Sequence, residues 1–188
     1  SSSDNDQLNV TLDDDNIVMD VTFIENINIT YTDPFQPTFD LSDVSGADVH
    51  LESNNGAFFG DATFTNVDGN DISAGMGLDG TLTLNGVDGS NIDAGMSTTV
   101  DMNGADGDFI LNAPYGTTIM IDGGDDIQVN APMATNIAFD TNGPRSADIT
   151  VGTDTMATLI GANSEYTFGG DSPARIDIQA GAIFEDIT

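Results

Sequence analysis

Apolar and polar residues alternate along this chain in short runs, and between residues 66 and 143 the runs recur at a fixed interval. Written in nines, the middle reads GVDGSNIDA, GMSTTVDMN, GADGDFILN, APYGTTIMI, DGGDDIQVN and APMATNIAF. Two kinds of nine take turns, one opening on Gly and Asp, the other closing on a Thr-rich apolar run, so the full unit is 18 residues. Phe64, Leu82, Val100, Ile119 and Ile137 stand 18, 18, 19 and 18 apart. In triplets such as Leu82-Thr83-Leu84 and Val100-Asp101-Met102 the outer residues are apolar and the middle one polar. A period of two marks a strand with one buried face. A second family of triplets includes Val49-His50-Leu51, Ile72-Ser73-Ala74, Ile92-Asp93-Ala94, Phe109-Ile110-Leu111, Ile127-Gln128-Val129 and Ile176-Asp177-Ile178. Ile110 and Met120 occupy middle positions and mark a more apolar outer patch.

A short fixed period of this kind predicts stacked coils, each burying its apolar side against the next. The expected fold is all-β: a right-handed parallel β-solenoid of about 18-residue coils with an N-terminal β-strand appendage. Leu8, Val10 and Leu12 alternate with polar neighbours, and a second β-like run carries Val21, Phe23, Ile27 and Ile29. Pro34 and Pro37 punctuate the chain after these runs. Residues 1–45 are therefore read as a strand appendage and linker, and 46–188 as the repeat domain. The rival is a sandwich of hairpins, since Asn85-Gly86 and Asn103-Gly104 are hairpin dipeptides. A hairpin needs an alternating strand directly after its turn, whereas Asn85-Gly86 leads into Val-Asp-Gly-Ser. A broad coil corner suits that better.

Charge changes the picture most. Against 32 acidic residues stand two basic ones, Arg145 and Arg175, for a net charge of -30. Only Glu25, Glu52, Glu165 and Glu185 are Glu; the rest are Asp, which favours turns and makes short, stiff cation ligands. With no basic footprint, nucleic acid and anionic membranes are excluded as expected partners. No apolar run approaches a membrane span, so no membrane insertion is expected. The chain has no Cys, hence no disulfide framework. No signal-peptide pattern is visible, as expected of a mature form. Two sequons, at Asn9 and Asn28, hint at an exported N-terminal region.

The acidic corners are the first candidate for chemistry. They comprise Asp68 and Asp71, Asp88, Asp106 and Asp108, and Asp122, Asp125 and Asp126, each group built around Gly. In a solenoid, equivalent positions stack about 4.8 Å apart. Two carboxylates at that spacing repel by roughly 0.9 kcal/mol even in water, unless a cation bridges them. Calcium takes carboxylate and main-chain oxygens, and Gly lets the main chain turn to supply them. The pairing of nines resembles the calcium-binding nonapeptide repeats of RTX proteins, G-G-x-G-x-D-x-U-x with U apolar. Asp125-Asp126-Ile127 fits the D-x-U step with Gly123 ahead of it, while Gly107 and Asn70 stand where that pattern has Asp. The resemblance covers about 66–143; it implies a roll-like architecture and calcium as a cofactor.

Two further candidates are weaker. A Thr array suited to ice would need regular Thr-x-Thr pairs, which occur at Thr63/Thr65 and Thr81/Thr83 and then lapse. An enzyme would need a defined acid pair or nucleophile; His50 sits in a strand triplet, and the two Arg are expected to pair with local Asp. The reading that follows is a non-enzymatic extracellular or cell-surface protein. Its role would be structural or adhesive, as a self-assembling subunit of a fibre, layer or matrix, stabilised by calcium. At the level of architecture it resembles β-solenoid surface and adhesin proteins. Expected partners are further copies, in a homo-oligomer or polymer, and a surface polysaccharide. Leu8, Val10 and Leu12, or Val21, Phe23 and Ile27, would anchor assembly by pairing with a neighbour's open strand edge. The alternative is a virion surface component, such as a tail spike or head decoration protein.

Overall fold

The computed structural model describes residues 6–12, 16–18, 23–32, 36–53, 60–75, 77–139, 143–160, 164–170, 175–179 and 183–187. Nineteen strands are present among them. The first seven are β1 (Gln7–Leu12), β2 (Asn16–Val18), β3 (Asn26–Tyr31), β4 (Thr38–Asp40), β5 (Asp48–Ser53), β6 (Ala62–Thr65) and β7 (Asp71–Ala74). The middle of the chain forms β8 (Thr81–Asn85), β9 (Ser90–Asp93), β10 (Thr99–Ala105), β11 (Phe109–Asn112), β12 (Thr118–Gly123), β13 (Asp126–Ala131) and β14 (Asn136–Phe139). The last five are β15 (Ser146–Val151), β16 (Met156–Ile160), β17 (Glu165–Gly170), β18 (Arg175–Gln179) and β19 (Ile183–Ile187).

Odd strands build one ten-stranded sheet and even strands a nine-stranded sheet. Neighbours are parallel, as between β8, β10 and β12. The chain therefore crosses from one sheet to the other and back in every coil, the β-solenoid that the repeat predicts. Burial follows the period of two: β8 alternates half-buried and buried, and β13 exposed and buried. Inward side chains of both sheets meet in a single apolar core.

Leu82, Val100, Ile119 and Ile137 stand side by side in the nine-stranded sheet, all fully buried. Phe64 does not head this column. Ala62 lies beside Leu82 and Phe64 beside Leu84, so that coil is longer by two than the step from Phe64 to Leu82 suggests. A slip of two keeps the inward face inward, which is why the alternation survives it. Ile176-Asp177-Ile178 also moves: Ile176 lies beside Ala157, in the nine-stranded rather than the ten-stranded sheet. Ile92 sits beside Leu111, and Phe109 beside Ser90.

The strands before Gly46 join the same stack. β1 pairs with β3 and β3 with β5, while β2 pairs with β4 and β4 with β6. The run expected to stand apart as an appendage is laid down as the opening coils, and the stack continues across the boundary placed before residue 46. Its coils are longer: Asn26 pairs with Asp48 and Thr38 with Thr63, whereas Thr81 pairs with Thr99 farther along. Phe39 stacks on Phe64 with ring centroids 4.9 Å apart, which joins the early coils to the repeat.

The hairpin dipeptides are coil corners, as expected. Gly86 and Gly104 have φ of +66° and +63°, and Asn66, one coil earlier, has φ of +59°. A left-handed residue at this corner turns the chain out of the nine-stranded sheet, and Gly or Asn accepts that conformation with least strain.

Candidate functional site

The acidic corners follow directly on those left-handed residues. Val67, Val87 and Ala105 turn inward and are buried, which leaves Asp68, Asp88 and Asp106 facing solvent. Asp68 and Asp88 form a parallel bridge. The Asp88 and Asp106 amides donate to Val67 and Val87 carbonyls one coil back, at 3.3 and 3.1 Å. Three successive coils thus each place one exposed carboxylate along this corner, and in the next coil Gly124, whose amide donates to the Ala105 carbonyl, takes that place. Gly107 belongs to the same packing: a Cβ there would lie 1.6 Å from Asp88 Oδ1. The glycine makes room for the neighbouring coil's carboxylate.

The remaining expected ligands lie elsewhere. Asp71, on β7, accepts from the Asn91 amide at 2.7 Å and from Asn91 Nδ2 at 3.0 Å. Asp108 Oδ1 accepts from the Asp126 amide at 3.0 Å. Asp126 accepts from Ser146 Oγ at 2.7 Å and from the Arg145 guanidinium. These bonds, the serine hydroxyl first and the guanidinium second, hold the Asp126 carboxyl below its ordinary value. Asp125 is exposed just before β13, and Asp122 is half-buried on β12. Of the eight aspartates, Asp68, Asp88 and Asp106 line the corner, Asp71, Asp108 and Asp126 accept cross-coil hydrogen bonds, and Asp122 and Asp125 stand apart from that column. Among the described residues no three His, Cys, Asp or Glu side chains converge to hold a metal.

Asn70 and Ser90 complete the corners and are fully buried. Asn70 Oδ1 accepts from the Ala47 amide at 3.1 Å, while its Nδ2 donates to the Val44 and Asp68 carbonyls at 3.0 and 3.1 Å. Ser90 Oγ lies 3.0 and 2.9 Å from the Val67 and Asp88 carbonyls. Two carbonyls facing Asn70 require a donor, which a carboxylate lacks. That is a physical reason for amide rather than acid here. In the sequence Asn70 stands out only as a departure from the nonapeptide pattern and Ser90 only as a corner residue; the signal for both is Asp-Gly followed by a neutral polar residue in two successive units.

Thr98, Thr117, Thr135 and Thr155 form a spine at the opposite corner. Their hydroxyls donate to carbonyls of the preceding coil, Asp79, Thr98, Thr117 and Ala134, at 2.9, 3.0, 3.1 and 2.5 Å. Part of the Thr-rich signal, Thr98, Thr117 and Thr135, is thus a set of stitches between coils. His50, on the outer face of β5, lies 3.2 Å from Ser73 Oγ and 3.8 Å from Glu52. Arg145 pairs with Asp126, and Arg175 lies 3.7 Å from Asp177.

The assembly residues are dispersed. Leu8, Val10 and Leu12 are half-buried on β1, against β3 of their own chain. Ile27 is fully buried, whereas Phe23 is 90% exposed, so the two do not present one surface. Val21 lies outside the described residues. Ile110 and Met120 are both partly exposed but face away from different sheets, so they do not form one patch. The sequon asparagines share a column on the outer face, with Asn28 Nδ2 donating to Asn9 Oδ1 at 3.0 Å.

No family model, curated protein or solved structure matches the chain.

Proposed function

We propose that this chain is a non-enzymatic structural or adhesive protein, a self-assembling subunit of an extracellular or cell-surface fibre, layer or matrix. One observation carries the reading. The register of the ten-stranded sheet lines up outward residues in columns along the stack, among them Ser73, Asp93, Asn112, Asn130 and Thr150. A surface that repeats along one axis suits contact with a partner that also extends along one axis, such as another copy or a polymer. Calcium is proposed as the counter-ion of the Asp68, Asp88 and Asp106 column, bridging carboxylates of successive coils rather than entering a closed shell. Electron microscopy of the purified protein with and without calcium tests the reading, alongside retention of protein-coated beads on matrix-coated surfaces. Ordered assemblies or specific retention are expected. Dispersed single rods in both conditions, with beads that wash off freely, would overturn it.

A further inference from the structure

Each coil between residues 90 and 135 leaves the ten-stranded sheet through a tight turn, and these turns stack. The Ser97, Gly116 and Ala134 amides donate to the Ala94, Ala113 and Ala131 carbonyls at 3.0, 3.1 and 3.0 Å. The three alanines are buried beneath the turns. At the tips stand Met96, Tyr115 and Met133, with exposures of 38, 52 and 55%. Asp93, Asn112 and Asn130, at the strand ends entering these turns, are in register with one another, which places the tips in one line. The line spans about 10 Å, two coil steps of roughly 4.8 Å. Pro114 and Pro132 stiffen two of the turns, and the Thr spine ties down their far side. The result is a rigid apolar rail on a strongly acidic protein.

Beside the rail, on the sheet's outer face, runs a polar ladder. Asn130 Nδ2 donates to Asn112 Oδ1 at 3.0 Å, and Asp93 follows in the same column. One bond between two amides leaves further donor and acceptor capacity turned outward. An apolar line with convergent polar groups at its side is the chemistry of a recognition surface rather than of a solvated turn. The net charge of -30, with Asp93 in the ladder itself, argues against an anionic polymer as occupant. A neutral polysaccharide fits both halves. The C–H faces of its rings pack on Tyr115 and on the polarisable Met96 and Met133, and its hydroxyls meet the amides and the Asp93 carboxylate.

We propose that this corner binds a neutral polysaccharide chain lying along the stack axis. The inference rests on the adhesive reading and supplies its partner. The test is affinity electrophoresis of the full chain, with chelator present, through gels containing a soluble β-glucan, a galactomannan or, as the anionic control, alginate. Retardation by a neutral polymer and not by alginate is expected. Tyr115→Ala should then weaken binding roughly tenfold, the scale of one lost ring contact. Met120→Ala, on the other sheet, should leave binding unchanged, and both variants should melt with the parent. Free migration in both neutral gels, retardation by alginate alone, or equal behaviour of the two variants would overturn the proposal. If glycan binding fails while assembly or bead retention persists, only this inference falls; if those fail too, the broader reading falls with it.

Discussion

Asn70 shows how narrowly a single position in this fold is specified. Its amide serves two carbonyls and one N–H in a site closed to water. Asn70→Asp removes the donors and buries a charge, so a loss of about 2–4 kcal/mol is expected. Ser90→Ala should cost about 1 kcal/mol, and chemical denaturation of both variants checks the order. Tyr166 makes a prediction about pH. Burial, only partly offset by a hydrogen bond from Ser164, raises its hydroxyl from 10.0 to about 12. The folded state thus favours the neutral phenol. That contribution is whole below pH 10 and is lost as pH rises towards 12, about 3 kcal/mol at most. Melting temperature measured across this range should fall in the parent and fall less in Tyr166→Phe, which keeps the ring packed against Phe139.

At the scale of strands and turns, coils are held together partly by side chains that sequence alternation does not reveal. Thr117 Oγ1 donates to the Thr98 carbonyl, and Thr135 repeats the contact one coil on. Thr117→Val keeps the β-branched shape and removes the bond, so a loss of about 1 kcal/mol is expected; Thr117→Ser should retain most of it. Calorimetry of the pair separates hydrogen bonding from strand propensity. The column from Leu82 to Ile137 was legible because those coils keep nearly constant length, so equal spacing in sequence becomes adjacency in space. The opening coils were not, because the longer steps from Asn26 to Asp48 and from Thr38 to Thr63 break the period while leaving the strands intact. Spacing alone also could not assign Ile176 to its sheet, since both sheets use the same apolar-polar-apolar triplet. The candidate site was less legible than the fold. Asp88 and Asp71 read alike in sequence, yet one faces solvent beside Gly107 and the other accepts from Asn91. Which oxygen meets which N–H depends on register, and the rail from Met96 to Met133 emerges only once three turns are stacked.

Over the whole molecule, electrostatics and connectivity set behaviour. With a net charge of -30, self-repulsion opposes compaction, and any salt relieves part of it. Bridging of the Asp68, Asp88 and Asp106 column by calcium should raise the melting temperature beyond the effect of sodium at matched ionic strength. Equal shifts would reduce the acidity to general screening. A second consequence follows from the order of the sheets. Each strand bonds only to the strands one coil before and after it, and β1 and β19 lie at opposite ends of the ten-stranded sheet. Tension applied through the two ends of the chain therefore loads the terminal coils first, and among the described residues no strand pairing ties distant coils together to share the strain. A coil of about 19 residues drawn straight spans roughly 65 Å and gives up only about 5 Å of stack height. In a single-molecule pulling experiment the protein should lengthen in a sawtooth of steps of roughly 60 Å, yielding coil by coil like a tether that pays out under load instead of snapping.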